Sequence, residues 1–163
     1  MRRCALQNGR LLLKNTIMTQ FKNDITITRP VSEVFAAFND LDRLPQWLTG
    51  LARVETISGT PGEAGYEANY IFEERGKEVP FHEVVTHMHQ NESFTYVIQN
   101  HLLTMENTTR LEAQGDHTHV QTISQVKGKS FMIRLMMPLI KGSMRKRAQG
   151  DYEKFKAMLE KKE

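Results

Sequence analysis

From residue 133 onward, apolar residues recur every three or four positions, which is the period of an amphipathic helix. The stripe consists of Ile133, Met137, Ile140, Met144, Ala148, Tyr152, Phe155 and Leu159. The opposite side carries basic residues, namely Arg145, Lys146, Lys154 and Lys156, which predicts one solvated face. At ~1.5 Å per residue this helix is about 40 Å long, so its stripe needs a broad partner such as a sheet.

Alternation of apolar and polar residues predicts strands through the rest of the chain. The alternating segments lie around Ile25 and Ile27 and over residues 52–58, 65–74, 78–89, 93–99, 102–113 and 117–127. Short turns join the last six, which predicts an antiparallel meander. Two helical segments, 31–39 and 41–48, separate the first strand from the second, and Ser32 is the expected N-cap of the first helix.

This order of elements predicts an α+β fold, with a seven-stranded antiparallel sheet curled around the long C-terminal helix. We expect a single domain over residues 19–163, because no linker-like composition divides the chain. Residues 1–18 form a basic leader with a short Leu11-Leu12-Leu13 run. That run is shorter than the apolar core of a signal peptide, so we expect a disordered extension or a true start at Met18.

Charge and composition argue against several partners. The formal charge is +3, and no aromatic residues interleave with the basic ones, so we do not expect nucleic-acid binding. The longest apolar stretch, Phe131 to Ile140, contains Arg134 and is too short to span a bilayer, so we expect no integral membrane association. The one cysteine, Cys4, excludes an internal disulfide and fits a reducing compartment, and we expect a cytoplasmic protein.

Several polar residues fall on strand faces that are otherwise inward. They are Glu83, Asn107, Thr109, Thr122 and Ser124. Each group left unpaired in a dry core would cost about 1–3 kcal/mol. A wet, ligand-sized cavity between sheet and helix is the cheaper arrangement, and the sequence therefore predicts one.

The order of local motifs resembles the helix-grip superfamily (SRPBCC), which includes START lipid-transfer domains, birch-pollen-type (Bet v 1-like) allergens and polyketide cyclase/dehydrase-like proteins. The motifs are Arg29-Pro30-Val31-Ser32-Glu33-Val34-Phe35, Asn39-Asp40 through Leu44, Pro45, Gln46 and Trp47, then Val54 and Gly62 to Gly65, and a closing helix ending Tyr152 to Glu160. The resemblance covers about Ile25 to Leu159, is nearest to the polyketide cyclase-like branch, and implies the helix-grip fold. Because members include binders, cyclases, chaperone activators and quinone carriers, function stays open.

Three functions are consistent with these residues. We favour binding or carriage of a small hydrophobic ligand (lipid, isoprenoid or polyketide-like) without a cofactor. The second is a cyclase or dehydratase with Glu83 as acid/base and Tyr70 or Tyr96 as oxyanion donor, because an inward carboxylate is desolvated and its pKa raised. A register shift of one residue would instead turn Glu83 toward water. The third is a protein-interaction module of the chaperone-ATPase-activator type; the oligomeric state is not predicted.

Ten residues are candidates for contact with a ligand, although aromatic and methionine side chains are also common in packed cores. They are Trp47, Tyr66, Tyr70, Phe81, Glu83, Tyr96, Met105, Asn107, Met137 and Met144.

Two histidine pairs, His87 with His89 and His117 with His119, invite a metal hypothesis. In the predicted meander their strands stand about three spacings of ~4.8 Å apart. Ligand bonds to zinc are only ~2 Å long. We therefore expect solvent-exposed histidines and no metal site.

Overall fold

The computed structural model describes residues 18–161, which form three helices and a sheet. The strands are β1 Thr19–Ile27, β2 Leu51–Ser58, β3 Glu67–Glu74, β4 Lys77–His89, β5 Ser93–Gln99, β6 Leu103–Gln114 and β7 His117–Gly128. The helices are α1 Val31–Phe38, α2 Leu44–Trp47 and α3 Phe131–Glu160. The disorder expected for the leader falls on residues 1–17, outside the described range.

The seven strands form one antiparallel sheet in the order β1-β7-β6-β5-β4-β3-β2. Strands β2 to β7 pair with their sequence neighbours, while β1 pairs with β7 along its whole length. Helix α3 packs against β1 and β7, and α2 packs against α3. The predicted α+β fold is confirmed, with two short helices between β1 and β2 and a curled sheet around the long helix.

Three local predictions differ from the structure. Strand β1 starts at Thr19, well before the expected segment, and α2 covers Leu44–Trp47 alone. Ser32 is not the N-cap of α1; that position belongs to Pro30. The backbone N–H groups of Glu33 and Val34 donate to the Pro30 carbonyl at 3.1 and 3.2 Å, so the first helical turn has already begun before Ser32.

The apolar interior divides into two clusters. The larger one is centred on the aromatic rings of Phe38, Trp47 and Phe155, whose centroids lie 4.2 Å (Phe38–Phe155) and 4.9 Å (Trp47–Phe155) apart. The smaller one joins Phe21, Val126 and the buried Met137 of α3. Helix α3 contributes to both clusters, through Phe155 to the larger one and through Met137 to the smaller one.

Candidate functional site

A cavity of about 320 Å³ lies between the inner face of the sheet and the helices, and it is partly open to solvent. Strands β1 and β3 to β7 line one side of it, and α1, α2 and the second half of α3 line the other. Ligand-binding cavities commonly measure about 300–1,000 Å³, so this one has room for a small guest.

Nine of the ten candidate ligand contacts line this cavity. They are Trp47, Tyr66, Tyr70, Phe81, Glu83, Tyr96, Met105, Asn107 and Met144. Met137 does not line it, because α3 packs directly on β1 and β7 there, and the side chain, 1% exposed, is enclosed by Phe21 and Val126. Contact of the other nine with a ligand stays a prediction.

The cavity wall also contains residues that were not singled out as ligand contacts. Phe38 and Leu44 come from the short helices, and Phe94 and Ile98 flank Tyr96 on the inward face of β5. The apolar faces of these elements were visible in the sequence. What was not visible is that both short helices contribute to the same cavity wall.

A β-bulge in β4 decides which residues near its end face the cavity. Strict alternation from Val85 would turn His87 and His89 inward, but the register shifts between Val85 and His87. As a result Met88 lines the cavity, and both histidines are exposed. Strands β5 and β6 separate them from the pair on β7. Within residues 18–161, no group of three or more His, Cys, Asp or Glu is arranged to hold a metal ion.

Glu83 is a buried carboxylate in the cavity wall, with only 8% of its surface exposed. Its neighbour His82 points to the other side of the sheet, where its Nε2 lies 2.7 Å from Glu67 Oε1, so the inward register of Glu83 is the observed one. Burial raises the pKa of Glu83 to about 7, and interaction with the Tyr70 hydroxyl offsets part of that rise. Burial, together with the charge of Glu83, in turn raises the pKa of Tyr70.

The inward hydroxyl groups of β6 and β7 are largely satisfied by one another. Thr109 Oγ1 and Thr122 Oγ1 are 2.8 Å apart, and the Tyr152 hydroxyl of α3 hydrogen-bonds Thr122. Both threonines line the cavity, as the sequence predicted for the inward polar residues, and cross-strand partners satisfy their hydroxyl groups within the wall.

Asn107 is the exception among the inward polar residues. Its Oδ1 accepts a hydrogen bond of 2.6 Å from Ser124 Oγ. This bond sets the orientation of the amide group, and Nδ2 therefore points away from Ser124. In the part of the chain that the structure describes, Asn107 Nδ2 and Trp47 Nε1 are buried without a hydrogen-bond partner. Both residues line the cavity. Two unpaired N–H donors in one cavity wall are costly unless a guest or water accepts from them.

A polar cluster around Thr49 ties the turn before β2 to α3, and its members Asp151 and Arg147 also line the cavity. Buried Asp151 accepts a hydrogen bond from the Thr49 backbone N–H at 3.0 Å and another from the Thr49 hydroxyl. Arg147 donates to the Thr49 carbonyl at 2.9 Å and to Glu74 Oε1 at 2.8 Å. Lys154 Nζ donates to the Thr49 hydroxyl at 2.7 Å. These bonds hold the turn before β2 against the helix.

A curled sheet that encloses a cavity with a long helix defines the helix-grip class of proteins. The family described as polyketide cyclase / dehydrase and lipid transport matches residues 18–161. This chain therefore belongs to that family, as the resemblance implied. No curated protein matches the sequence.

Solved structures show the same fold at low sequence identity. Ara h 8.0201 is 16% identical with a TM-score of 0.69, covering 86% of this chain and 97% of the other. TTHA0849 from Thermus thermophilus is 15% identical with a TM-score of 0.69, covering 85% and 95%. The di-domain ARO/CYC BexL from the BE-7585A biosynthetic pathway is 10% identical with a TM-score of 0.73, covering 92% of this chain and 52% of that one.

None of the helices within residues 18–161 combines the length and the apolar character needed to cross a membrane.

Proposed function

We propose that this protein binds a small, mainly apolar molecule that carries at least one hydrogen-bond acceptor, and holds it in the cavity beneath α3. The observation that carries this proposal is the pair of unpaired donors, Asn107 Nδ2 and Trp47 Nε1, in a wall that is otherwise mostly apolar. A carbonyl or hydroxyl oxygen of the guest would accept from them. Membership of the polyketide cyclase / dehydrase and lipid transport family supports a lipid, isoprenoid or polyketide-like guest.

The size and chemistry of the cavity narrow the guest further. A volume of about 320 Å³ suits a compact ring system or a short chain better than a complete phospholipid. Burial raises the pKa of the Glu83 carboxyl to about 7, so that both the neutral and the charged form are accessible near neutral pH. It can therefore donate a hydrogen bond to one guest and accept one from another. An uncharged oxygenated guest fits this wall best.

Direct binding tests this proposal, and the chain has a built-in reporter because Trp47 is the only tryptophan and lies in the wall. Native mass spectrometry of the freshly purified protein would look for a bound small molecule. Titration with N-phenyl-1-naphthylamine, an uncharged fluorescent apolar probe, would then follow probe emission and Trp47 quenching. We expect saturable binding.

A matched pair of variants on α3 distinguishes binding inside the cavity from binding at the protein surface. Ala148 lines the cavity, whereas Ala157 lies exposed on the same helix. Ala148→Phe fills the space and should weaken probe binding by at least about tenfold, since several methylene-sized volumes are lost to the guest. Ala157→Phe should leave binding unchanged. Equal binding by both variants would place the probe outside the cavity and refute the proposal.

An enzyme is the second candidate, and the burial of Glu83 favours it. A carboxyl group with a pKa near the working pH is suited to general acid/base catalysis, and burial raises the pKa of Glu83 to about 7. The Tyr70 hydroxyl beside it is the candidate donor to a developing oxyanion. Tyr96, which also lines the cavity, is the alternative donor. Such a site could move a proton next to a carbonyl, as a cyclase or dehydratase must.

The substitution Glu83→Gln distinguishes the enzyme from the carrier. A cyclase acting on an aromatic polyketide precursor should lose turnover by about 100-fold or more, because proton transfer contributes on that scale. Binding of the fluorescent probe should survive, since glutamine keeps the shape. Unchanged turnover by Glu83→Gln would remove Glu83 from the chemistry. Within the described residues, nothing in the cavity wall favours the third candidate, a protein-interaction module.

A further inference from the structure

The first turns of α3 are apolar on both sides, which differs from the solvated face that the sequence predicted for this helix. The inward side chains there include Ile133 and Met137. The outward ones are exposed although apolar, and we call them the α3 apolar patch: Phe131, Met132, Leu135, Met136 and Leu139. Phe131 is 75% exposed and Leu139 is 83% exposed. A contiguous surface of this kind marks an interaction site more often than chance exposure does.

Another exposed apolar residue extends this surface beyond the helix. Leu102, in the turn between β5 and β6, is 41% exposed. Its carbonyl accepts a hydrogen bond of 2.8 Å from the Lys129 backbone N–H, which places that turn beside the start of α3. The patch ends after Leu139, where Gly142, Ser143 and Lys146 follow on the same side.

The segments that flank the patch in the sequence are basic. Residues 117–150 contain seven basic residues and no acidic residue. Those nearest to the patch in the sequence are Lys129, Arg134, Lys141 and Arg145. In the described part of the chain, none of these four is in an ion pair with a carboxylate. Their charges are therefore available to an external partner.

We propose that the α3 apolar patch docks onto the surface of an anionic lipid bilayer. A helix with exposed Phe, Leu and Met, flanked by Lys and Arg, has the composition of a segment that lies in the interface plane. Its apolar side chains would enter the boundary between headgroups and acyl chains, while the flanking cations would lie at the level of the phosphates. The helix would lie on the bilayer without crossing it.

Charge complementarity selects this occupant over two others. A second copy of the chain would bring the two basic surroundings together, and juxtaposed like charges oppose association. The leader of the same chain is also unsuitable, because residues 1–17 carry four basic residues and no acidic one. Binding to an anionic bilayer is instead strengthened by about 1 kcal/mol for each Lys or Arg near its surface. The leader would add to that attraction.

Vesicle co-sedimentation of the full-length protein, without added ligand, tests the proposal. Vesicles would be either equimolar phosphatidylglycerol and phosphatidylcholine or phosphatidylcholine alone. We expect binding to the anionic vesicles that weakens with added salt, and weaker binding to the neutral ones. Leu135→Ser with Leu139→Ser should reduce the partition coefficient by at least about tenfold. Lys141→Glu should reduce it by at least about fivefold on anionic vesicles alone.

The matched control is Ile57→Ser. Ile57 is also exposed, at 51%, but it lies on β2, at the sheet edge opposite β1, whereas the first turns of α3 pack on β1 and β7. Its loss should leave vesicle binding unchanged. Because all the substituted residues are exposed, circular dichroism and the midpoint of thermal unfolding should match the wild type. Equal weakening by Ile57→Ser, or no binding to anionic vesicles, would refute the proposal.

Two further outcomes would assign the patch to another occupant and overturn the proposal. Sedimentation velocity could reveal a dimer that Leu135→Ser with Leu139→Ser converts to monomer while vesicle binding persists; the occupant would then be a second copy. Peroxide could oxidise Met132 and Met136 as slowly as buried Met137 in lipid-free protein; the same chain would then cover the patch. We expect rapid oxidation of Met132 and Met136 without lipid, and protection by anionic vesicles.

Discussion

The pH dependence of stability measures how strongly the Glu83 carboxyl group is desolvated in the cavity wall, and this measurement does not require the ligand to be known. The carboxyl group has an ordinary pKa of 4.5, and burial raises this to about 7 in the folded protein. The folded state therefore disfavours the charged form. Stability from the neutral carboxyl is fully present below pH 4.5 and is lost as the pH rises through about 7. Replacing Glu83 with glutamine removes this dependence, because the amide is neutral at every pH in that range.

The size of the effect follows from the two pKa values. Each pKa unit corresponds to about 1.4 kcal/mol. A rise from 4.5 to about 7 thus makes the wild type lose on the order of 3 kcal/mol of unfolding free energy relative to the variant. We expect Glu83→Gln to be no more stable than the wild type in acid. Above pH 7 the free energy of unfolding of the variant, relative to that of the wild type, should be higher by about this amount than it is in acid.

Urea denaturation at a series of pH values, followed by Trp47 emission, measures this difference. Glu78→Gln is the matched control, since Glu78 lies on the same strand but is exposed and ion-paired with Arg53. That ion pair lowers the pKa of Glu78, so its stabilisation is lost as the pH falls and the trend has the opposite sign. The free energy of unfolding of Glu83→Gln could instead differ from that of the wild type by the same amount at every pH. Glu83 would then be hydrated in the folded protein, and the inference that burial raises its pKa would be wrong.

Two further predictions concern the packing around the cavity. Phe155→Ala should lower the free energy of unfolding by about 3–5 kcal/mol in urea denaturation, because the ring is fully buried against Phe38 and Trp47; a loss typical of a surface site would contradict this. Asp151→Ala and Thr49→Val should each cost about 1–3 kcal/mol, and the double variant less than the sum. Strict additivity in that cycle would mean that the hydrogen bond between the two side chains does not stabilise the fold.

Most of the architecture was already determined by local sequence patterns. Alternation along β3 to β7 and the helical period of α3 predicted the element order, the antiparallel meander and the inward register of Glu83 and Asn107. These features follow from period alone, because side-chain direction along a strand or helix is set by backbone geometry. Nine of the ten candidate contacts consequently lie on the cavity wall.

The tertiary structure decided which neighbours the inward and outward side chains contact. It paired Thr109 with Thr122, left Asn107 Nδ2 unpaired, and enclosed Met137 in packed core instead of the cavity. It also left the outward side of Phe131 and Leu139 uncovered. A periodic pattern fixes how a side chain points relative to its own element. Whether another element covers that side chain depends on contacts between residues far apart in the chain, which no local pattern records.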